Sequence, residues 1–290
     1  MLPELLPAGE VALPDVRITT GPVTAPNNDE EGLHTLNGSL VLVVPEVARF
    51  LVQGGNSIVV DAAPGVPERN IRLYLLGSAF GAILHQRGLL PLHANAVDID
   101  GHAVGFMGAS GEGKSTLAAW FHDEGYRVIA DDILVVKPED DGRAYALQGL
   151  ARLRLWQDAL EASGREAHHY ERSYADEEWN KFDVPIERTG DPADIELRAL
   201  YHLRRGDAFK VEALSGLEAA EAVFANTYRG SYVTAAKGEL NHWQSCVRLV
   251  RNTPVFRLTR PSDLGRMSET FERILDHVRA QHYIEQAGRT

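Results

Sequence analysis

Cysteine is almost absent from this chain: Cys246 stands alone among 290 residues, so neither a disulfide framework nor a thiolate metal cluster can be built. A lone cysteine of this kind reads as a small buried hydrophobe. No run of about eighteen apolar residues occurs, which excludes an ordinary membrane-spanning helix. The N-terminus, Met1-Leu2-Pro3-Glu4, lacks the basic start and apolar core of a signal peptide, and the expected location is the cytoplasm. Clusters of lysine and arginine are missing too. With 41 acidic against 29 basic residues the net charge is −12, which argues against a nucleic-acid partner and against an anionic membrane surface. Internal repeats and low-complexity tracts are likewise absent.

What is present is the composition of a soluble globular protein, 44% hydrophobic and 24% charged, long enough for one large α/β domain with an appendage. Residues 1–68 are read as a β-rich N-terminal part packed on the core, with strand-like runs at Val11 to Thr20, Gly38 to Val44 and Ser57 to Val60. Residues 69–290 are read as the main domain. It opens on a helix from Arg69 to Gln86, with Ile71, Leu75, Ala79 and Ile83 on one stripe. A hairpin-like pair, Leu89 to Ile99 and His102 to Met107, follows, and then a strand from Tyr126 to Val136. Leu153 to Ala162 is predicted helical, Glu166 to Asp183 a polar surface loop or lid, and Leu197 to Leu203 a strand. Helices are expected over Leu214 to Tyr228, Leu240 to Arg251 and Ser262 to Gln286, with a strand at Val255 to Leu258.

The chemistry begins at Gly108-Ala109-Ser110-Gly111-Glu112-Gly113-Lys114-Ser115, which fits the phosphate-binding loop G-x-x-x-x-G-K-[ST] at every position. Its glycines let the backbone turn N–H groups inward around a phosphate. Lys114 brings an ammonium to the β and γ oxygens, and the Ser115 hydroxyl is available to Mg²⁺. An apolar run, Ala103 to Met107, precedes the loop, and a helix-like stretch from Ser115 and Thr116 to Phe121 follows it, with Gly125 as the stop signal. The helix N-terminus therefore points at the phosphates. ATP and Mg²⁺ are the implied cofactors, held by residues 108–116.

Asp131 and Asp132 close the next apolar run, eighteen residues after Lys114. Ligands of open α/β sheets sit at the carboxyl ends of strands, so one carboxylate can hold magnesium while the other accepts a proton from an attacking hydroxyl. His93, in Leu92-His93-Ala94-Asn95-Ala96-Val97, lies on the strand beside the one that feeds the loop.

Taken together, Leu-His-Ala-x-Ala-Val, Gly-x-Ser-Gly-x-Gly-Lys-Ser and Gly-Tyr-x-Val-Ile-Ala-Asp-Asp resemble the catalytic domain of HPr kinase/phosphorylase and its wider group, which share a fold with phosphoenolpyruvate carboxykinases. The likeness runs from Leu89 to Val136 and more weakly to about Leu203. It implies an α/β fold with a phosphate-loop, HPr-kinase-like mixed sheet core, a β-rich N-terminal part and C-terminal helices. It also implies an ATP-dependent serine kinase, with Asp132 as the base, His93 as the active-site histidine, Lys114 on the phosphates, and Ser115 with Asp131 on the metal. A catalytic arginine is expected, for which Arg188 is the candidate and Lys181 and Arg198 are rivals.

Thr116 stands where the HPr enzymes usually carry glutamate, and Gln148 stands where a glutamate motif is expected. Phosphorolysis and action on HPr itself are thereby left without sequence support. The implied partner is a peptide or small protein bearing an acceptor serine, such as the C-terminal serine of a lasso-peptide precursor, and homo-oligomerisation stays open. A small-molecule kinase and a non-catalytic ATP-binding module are the alternatives. A transporter-type ATPase is disfavoured because no Leu-Ser-Gly-Gly signature is present.

Overall fold

The computed structural model describes residues 2, 5, 14–24, 26, 30–176, 178–187, 194–235 and 238–287, with side chains to residue 281. Strands β1 (Arg17–Thr20), β2 (Gly32–Leu36), β3 (Ser39–Val44), β4 (Ala48–Gln53) and β5 (Ser57–Ala62) form one sheet in the order β1-β5-β4-β3-β2. Only β1 runs parallel to its neighbour, β5. The unbroken apolar run Leu40 to Val43 reflects burial on both faces of β3, with Leu40 and Leu42 in one cluster and Val41 and Val43 in another.

The predicted helix is observed as α1 (Glu68–Tyr74) and α2 (Phe80–Gln86), joined by a π-helical turn over Leu75–Ala79. Leu75, Ala79 and Ile83 pack on the five-stranded sheet, as their 3.6-residue spacing requires. Gly77 and Gly81 are glycines for want of room: a β-carbon at either would stand 3.0–3.1 Å from the Tyr228 ring or hydroxyl.

The second sheet is built from β6 (Leu90–Leu92), β7 (Ala94–Ile99), β8 (His102–Met107), β9 (Val128–Ala130), β10 (Leu134–Pro138) and β11 (Ala144–Ala146). A long strand from Ile195 to Arg205 and two more from the C-terminal part complete it. Between β8 and β9 lies α3 (Lys114–Asp123), and Gly125 ends the connection at φ 84°. The third sheet has three strands, β12 (Arg152–Trp156), β13 (Glu171–Arg172) and β14 (Lys181–Pro185), with α4 (Gln157–Ala162) following β12. The chain then runs through β15 (Ile195–Arg205), β16 (Lys210–Leu214), α5 (Gly216–Ala225), α6 (Ser231–Ala235), α7 (Glu239–Asn252), β17 (Val255–Arg260) and α8 (Met267–Ala287).

Parallel pairing of β8 with β15 and of β15 with β17, against antiparallel β7–β8 and β7–β9, makes this a mixed sheet. One face is covered by α3, α8 and the small third sheet, and the other by α5 and α7. The α/β class, the β-rich N-terminal part and the C-terminal helices are thus as the sequence implies. Gly105 in the middle of β8 has a packing reason, since a β-carbon there would come within 2.6 Å of the Leu200 side chain.

Three sequence readings need correction. The predicted strand Tyr126 to Val136 is two strands, parted at Asp131 and Asp132, with Asp132 in the left-handed region at φ 70°. The predicted helix from Leu153 is a strand up to Trp156: Leu153 and Leu155 face the core while Arg152 and Arg154 reach Asp183 from the other side, a period of two. The polar segment Glu166 to Asp183 is no loop at either end. It contributes β13 and the start of β14, buries Phe182 and Ser173, and leaves Asp176, Glu178, Trp179 and Asn180 exposed between those strands.

Candidate active site

A cleft of about 330 Å³ opens at the carboxyl ends of β8, β15 and β17. The phosphate loop forms its floor. Gly108, Gly111 and Gly113 take φ of 157°, 87° and 80°, and Gly113 is the last residue before α3. Positive φ, open to glycine for want of a β-carbon, is the backbone that lets a loop gather N–H groups into an anion nest.

Lys114 folds back across the loop. Its Nζ donates to the carbonyls of Gly108 at 2.7 Å and Ala109 at 3.1 Å. Burial pushes this ammonium down to about 8, and the nearby carboxylates of Asp132 and Asp131 oppose the shift. Among the described residues, the hydrogen bonds of this cation go to loop carbonyls. Asn95 on β7 donates from Nδ2 to the Lys114 carbonyl and fixes the first turn of α3 from behind.

Two arginines brace the opposite wall. Arg205, at the end of β15, donates to the Gly111 carbonyl, and Arg260, at the end of β17, donates from one Nη to the carbonyls of Glu112 at 3.0 Å and Gly113 at 3.3 Å. Arg260 is 5% exposed, and its Nε has no hydrogen-bond partner among the described residues. Its guanidinium occupies the space that a β-carbon on Gly113 would need. Gly113→Ala is therefore expected to strain the loop by about 1–2 kcal/mol from backbone sterics alone and to displace Arg260. Calorimetric titration should show ATP binding weakened by about tenfold or more; unchanged affinity would contradict the nest.

The acidic pair sits across from Lys114. Asp131 is half-buried: its Oδ1 accepts from the Ser115 hydroxyl at 3.0 Å and its Oδ2 from the Arg154 backbone N–H at 2.7 Å. Burial pushes its carboxyl up, and neighbouring Asp132 adds to the shift. Asp132 experiences burial as well, but the charges of Lys181 and Arg154, with that of His93 when protonated, outweigh it and hold the carboxyl below its ordinary value. Arg154 donates to Asp132 Oδ2 at 3.0 Å, while Lys181 Nζ lies 3.9 Å and His93 Nδ1 3.7 Å from Oδ1. Two adjacent carboxylates in one site are thus pushed in opposite directions by their surroundings. Arg154 is itself anchored, since its Nε donates to Asp183 at 3.2 Å and Arg152 takes the other oxygen of Asp183 at 2.9 Å.

His93 stands between β6 and β7, with its backbone N–H bound to the Asn226 carbonyl at 2.7 Å and its Nδ1 3.2 Å from the Asp132 carbonyl oxygen. Burial lowers its proton affinity, the Lys114 charge lowers it further, and Asp132 acts the other way, so the imidazole is mainly neutral at pH 7.

His93, Lys114, Ser115, Thr116 and Asp132 all border the cleft together with loop residues 110–113, while Gly108 and Ala109 lie beneath through the Lys114 contacts and Asp131 behind through Ser115. Arg188 lies outside the described residues. Of its two rivals, Lys181 lines the cleft, and Arg198 is turned to His102 at 2.7 Å, away from it. Gln148 is tied between Arg127 and the Ile129 carbonyl. Sequence reasoning passed over Arg154, Arg205, Arg260 and Asn95. Arg154 and Arg260 carry a legible signal, the alternation in Arg-Leu-Arg-Leu-Trp and in Val-Phe-Arg-Leu-Thr-Arg that marks strands ending at the cleft.

Comparison with known proteins adds little. No family model matches the chain, and no curated protein matches it. Among solved structures, it is similar to the HPr(Ser) kinase/phosphatase from Coxiella burnetii, at 13% identity and a TM-score of 0.34, over 68% of this chain and 98% of that one. An overlap this loose says nothing about activity. Among the described residues, no helix is long and apolar enough to cross a membrane.

Proposed function

We propose that this protein is an ATP-dependent kinase that transfers the γ-phosphoryl group to a serine hydroxyl of a peptide or small protein. The observation that carries this reading is the placement of Asp132, an ionised carboxylate held by Arg154 and flanked by Lys181, across one cleft from the phosphate loop and Lys114. A loop that only bound nucleotide would not require a paired, charge-compensated carboxylate there.

The triphosphate lies in the loop with Lys114 on its outer oxygens. The serine oxygen attacks the γ-phosphorus as its proton passes to Asp132, and the bond to the ADP oxygen breaks. Charge on the leaving oxygens falls to the loop N–H groups and to Lys114, which are in place before the reaction begins. Neutral His93 can hold a hydrogen bond to the acceptor without competing with Asp132 for the proton. The Ser115 hydroxyl and the Asp131 carboxylate offer an all-oxygen donor pair at 3.0 Å, which suits a hard divalent cation such as Mg²⁺. Such an ion would reverse the upward push that burial gives Asp131, and when bound it would neutralise charge on the β and γ oxygens.

The acceptor implied by the sequence resemblance, the C-terminal serine of a lasso-peptide precursor, belongs to this proposal and rests on that resemblance alone. The test is transfer of label from γ-phosphate-labelled ATP to serine peptides. Transfer is expected with Mg²⁺ and should fall to background when the metal is removed with EDTA. Label found only in free phosphate, with or without peptide, would contradict a kinase.

A further inference from the structure

Two of the four tryptophans are spent on the surface. Trp156 and Trp179 are 44% and 39% exposed, and their rings pair at 5.9 Å between centroids. Trp156 ends β12 and lines the cleft. Trp179 lies in the turn between β13 and β14, the part of Glu166 to Asp183 that stays outside the sheet. Lys181 Nζ is 5.8 Å from the Trp156 ring centroid and 3.9 Å from Asp132 Oδ1, so the indole pair begins one side chain away from the proposed base. From there the ring contacts continue toward α1: Trp179 is 6.0 Å from Tyr174, and Tyr174 is 6.4 Å edge-on to Tyr74 of α1, both tyrosines being half-buried.

The platform is held in place before any partner arrives. Trp156 pairs with Lys181 across β12 and β14, the next residue, Gln157, donates to the Asn180 carbonyl at 3.0 Å, and the Trp179 N–H donates to the Asp176 carbonyl at 3.2 Å. Aromatic side chains with two torsions, one on a strand end and one in a hydrogen-bonded turn, give contact area at small entropic cost. Around them stand the exposed carboxylates of Asp158, Asp176 and Glu178. Lys181 is drawn toward Asp132 and Arg172 lies over the Phe182 ring. The surface is therefore apolar at its centre and acidic at its rim.

We propose that Trp156 and Trp179 dock the acceptor peptide by an aromatic or large aliphatic side chain close to the acceptor serine, with a basic residue favoured at the acidic rim. This rests on the kinase reading above and names the chemistry of its substrate. A small hydroxylated metabolite would have no use for a row of rings leading away from the cleft, whereas a peptide extends along it.

The test uses the full chain with ATP, Mg²⁺ and serine peptides in which each flanking position is varied in turn. Wild type is expected to favour Trp, Phe or Leu over Gly at one flanking position by about tenfold in kcat/KM, a typical selectivity for one apolar contact. Trp156→Ala and Trp179→Ala should reduce that preference to about twofold or less. Trp179→Phe should keep it, and Trp179→Ala should bind ATP as wild type does, which separates a docking defect from a folding defect. Phosphorylation with no flanking preference, or a preference that survives both alanine variants, would overturn the docking site and leave the kinase reading intact. Failure to phosphorylate any serine peptide, with ATP still bound, would count against the kinase reading and the docking site together.

Discussion

Lys114→Ala should leave a folded protein that transfers no measurable phosphate. In the structure the Lys114 ammonium is buried against the Gly108 and Ala109 carbonyls, and the residue lines the cleft; the proposed function puts the outer phosphate oxygens beside it. Charge develops on those oxygens during transfer, and a fixed donor of this kind contributes about 10²–10³ in turnover. The effect on folding has the opposite sign. Below pH about 8 the folded chain must hold a lysine charge that burial disfavours, so at neutral pH this charge opposes folding. The variant should therefore melt at the same temperature as wild type or slightly higher. Thermal melting alongside single-turnover kinetics checks both halves, and near-normal transfer by a folded variant would defeat the phosphate-loop reading.

Asp132→Asn should separate binding from chemistry. Asparagine adopts the left-handed backbone that Asp132 occupies and can still accept from Arg154, so the turn between β9 and β10 is expected to survive. It cannot take the serine proton. Loss of a general base costs about 10²–10⁴ in rate, whereas ATP affinity should stay within a few fold. Should binding and turnover fall together instead, Asp132 would be a metal ligand or a structural residue, and Asp131 the better candidate base.

The legible part of this protein is local. The phosphate loop, its preceding strand and its following helix are written in consecutive residues, and so is the Ala-Asp-Asp strand end. Positive φ at the loop glycines follows from the absence of a β-carbon, which a sequence states outright. The helix over residues 68–86 was legible from its stripe, but its π-helical turn was not, because that turn lies where the helix meets Tyr228, some 150 residues further on.

What the sequence obscured depends on contacts between distant segments. Leu153 to Ala162 has helical propensity at both ends, yet Arg152 and Arg154 are drawn into a strand by Asp183 and Asp132. Composition alone made Glu166 to Asp183 a lid, because charged residues outnumber aliphatic ones there. Pairing with β12 gives Asp183 and Lys181 fixed partners, and two strands form. Arg205 could be found only through topology, since β15 runs parallel to β8 and delivers the guanidinium group at its end to the loop.

The most direct test of the central claim is the fate of the γ-phosphate. Wild type incubated with excess ATP, Mg²⁺ and a serine peptide should yield phosphoserine and ADP in equal amounts, read by mass spectrometry of the peptide and chromatography of the nucleotide. Asp132→Asn should bind ATP and yield neither. ADP formed without phosphoserine, or phosphoserine formed equally well by Asp132→Asn, would contradict a serine kinase with Asp132 as its base.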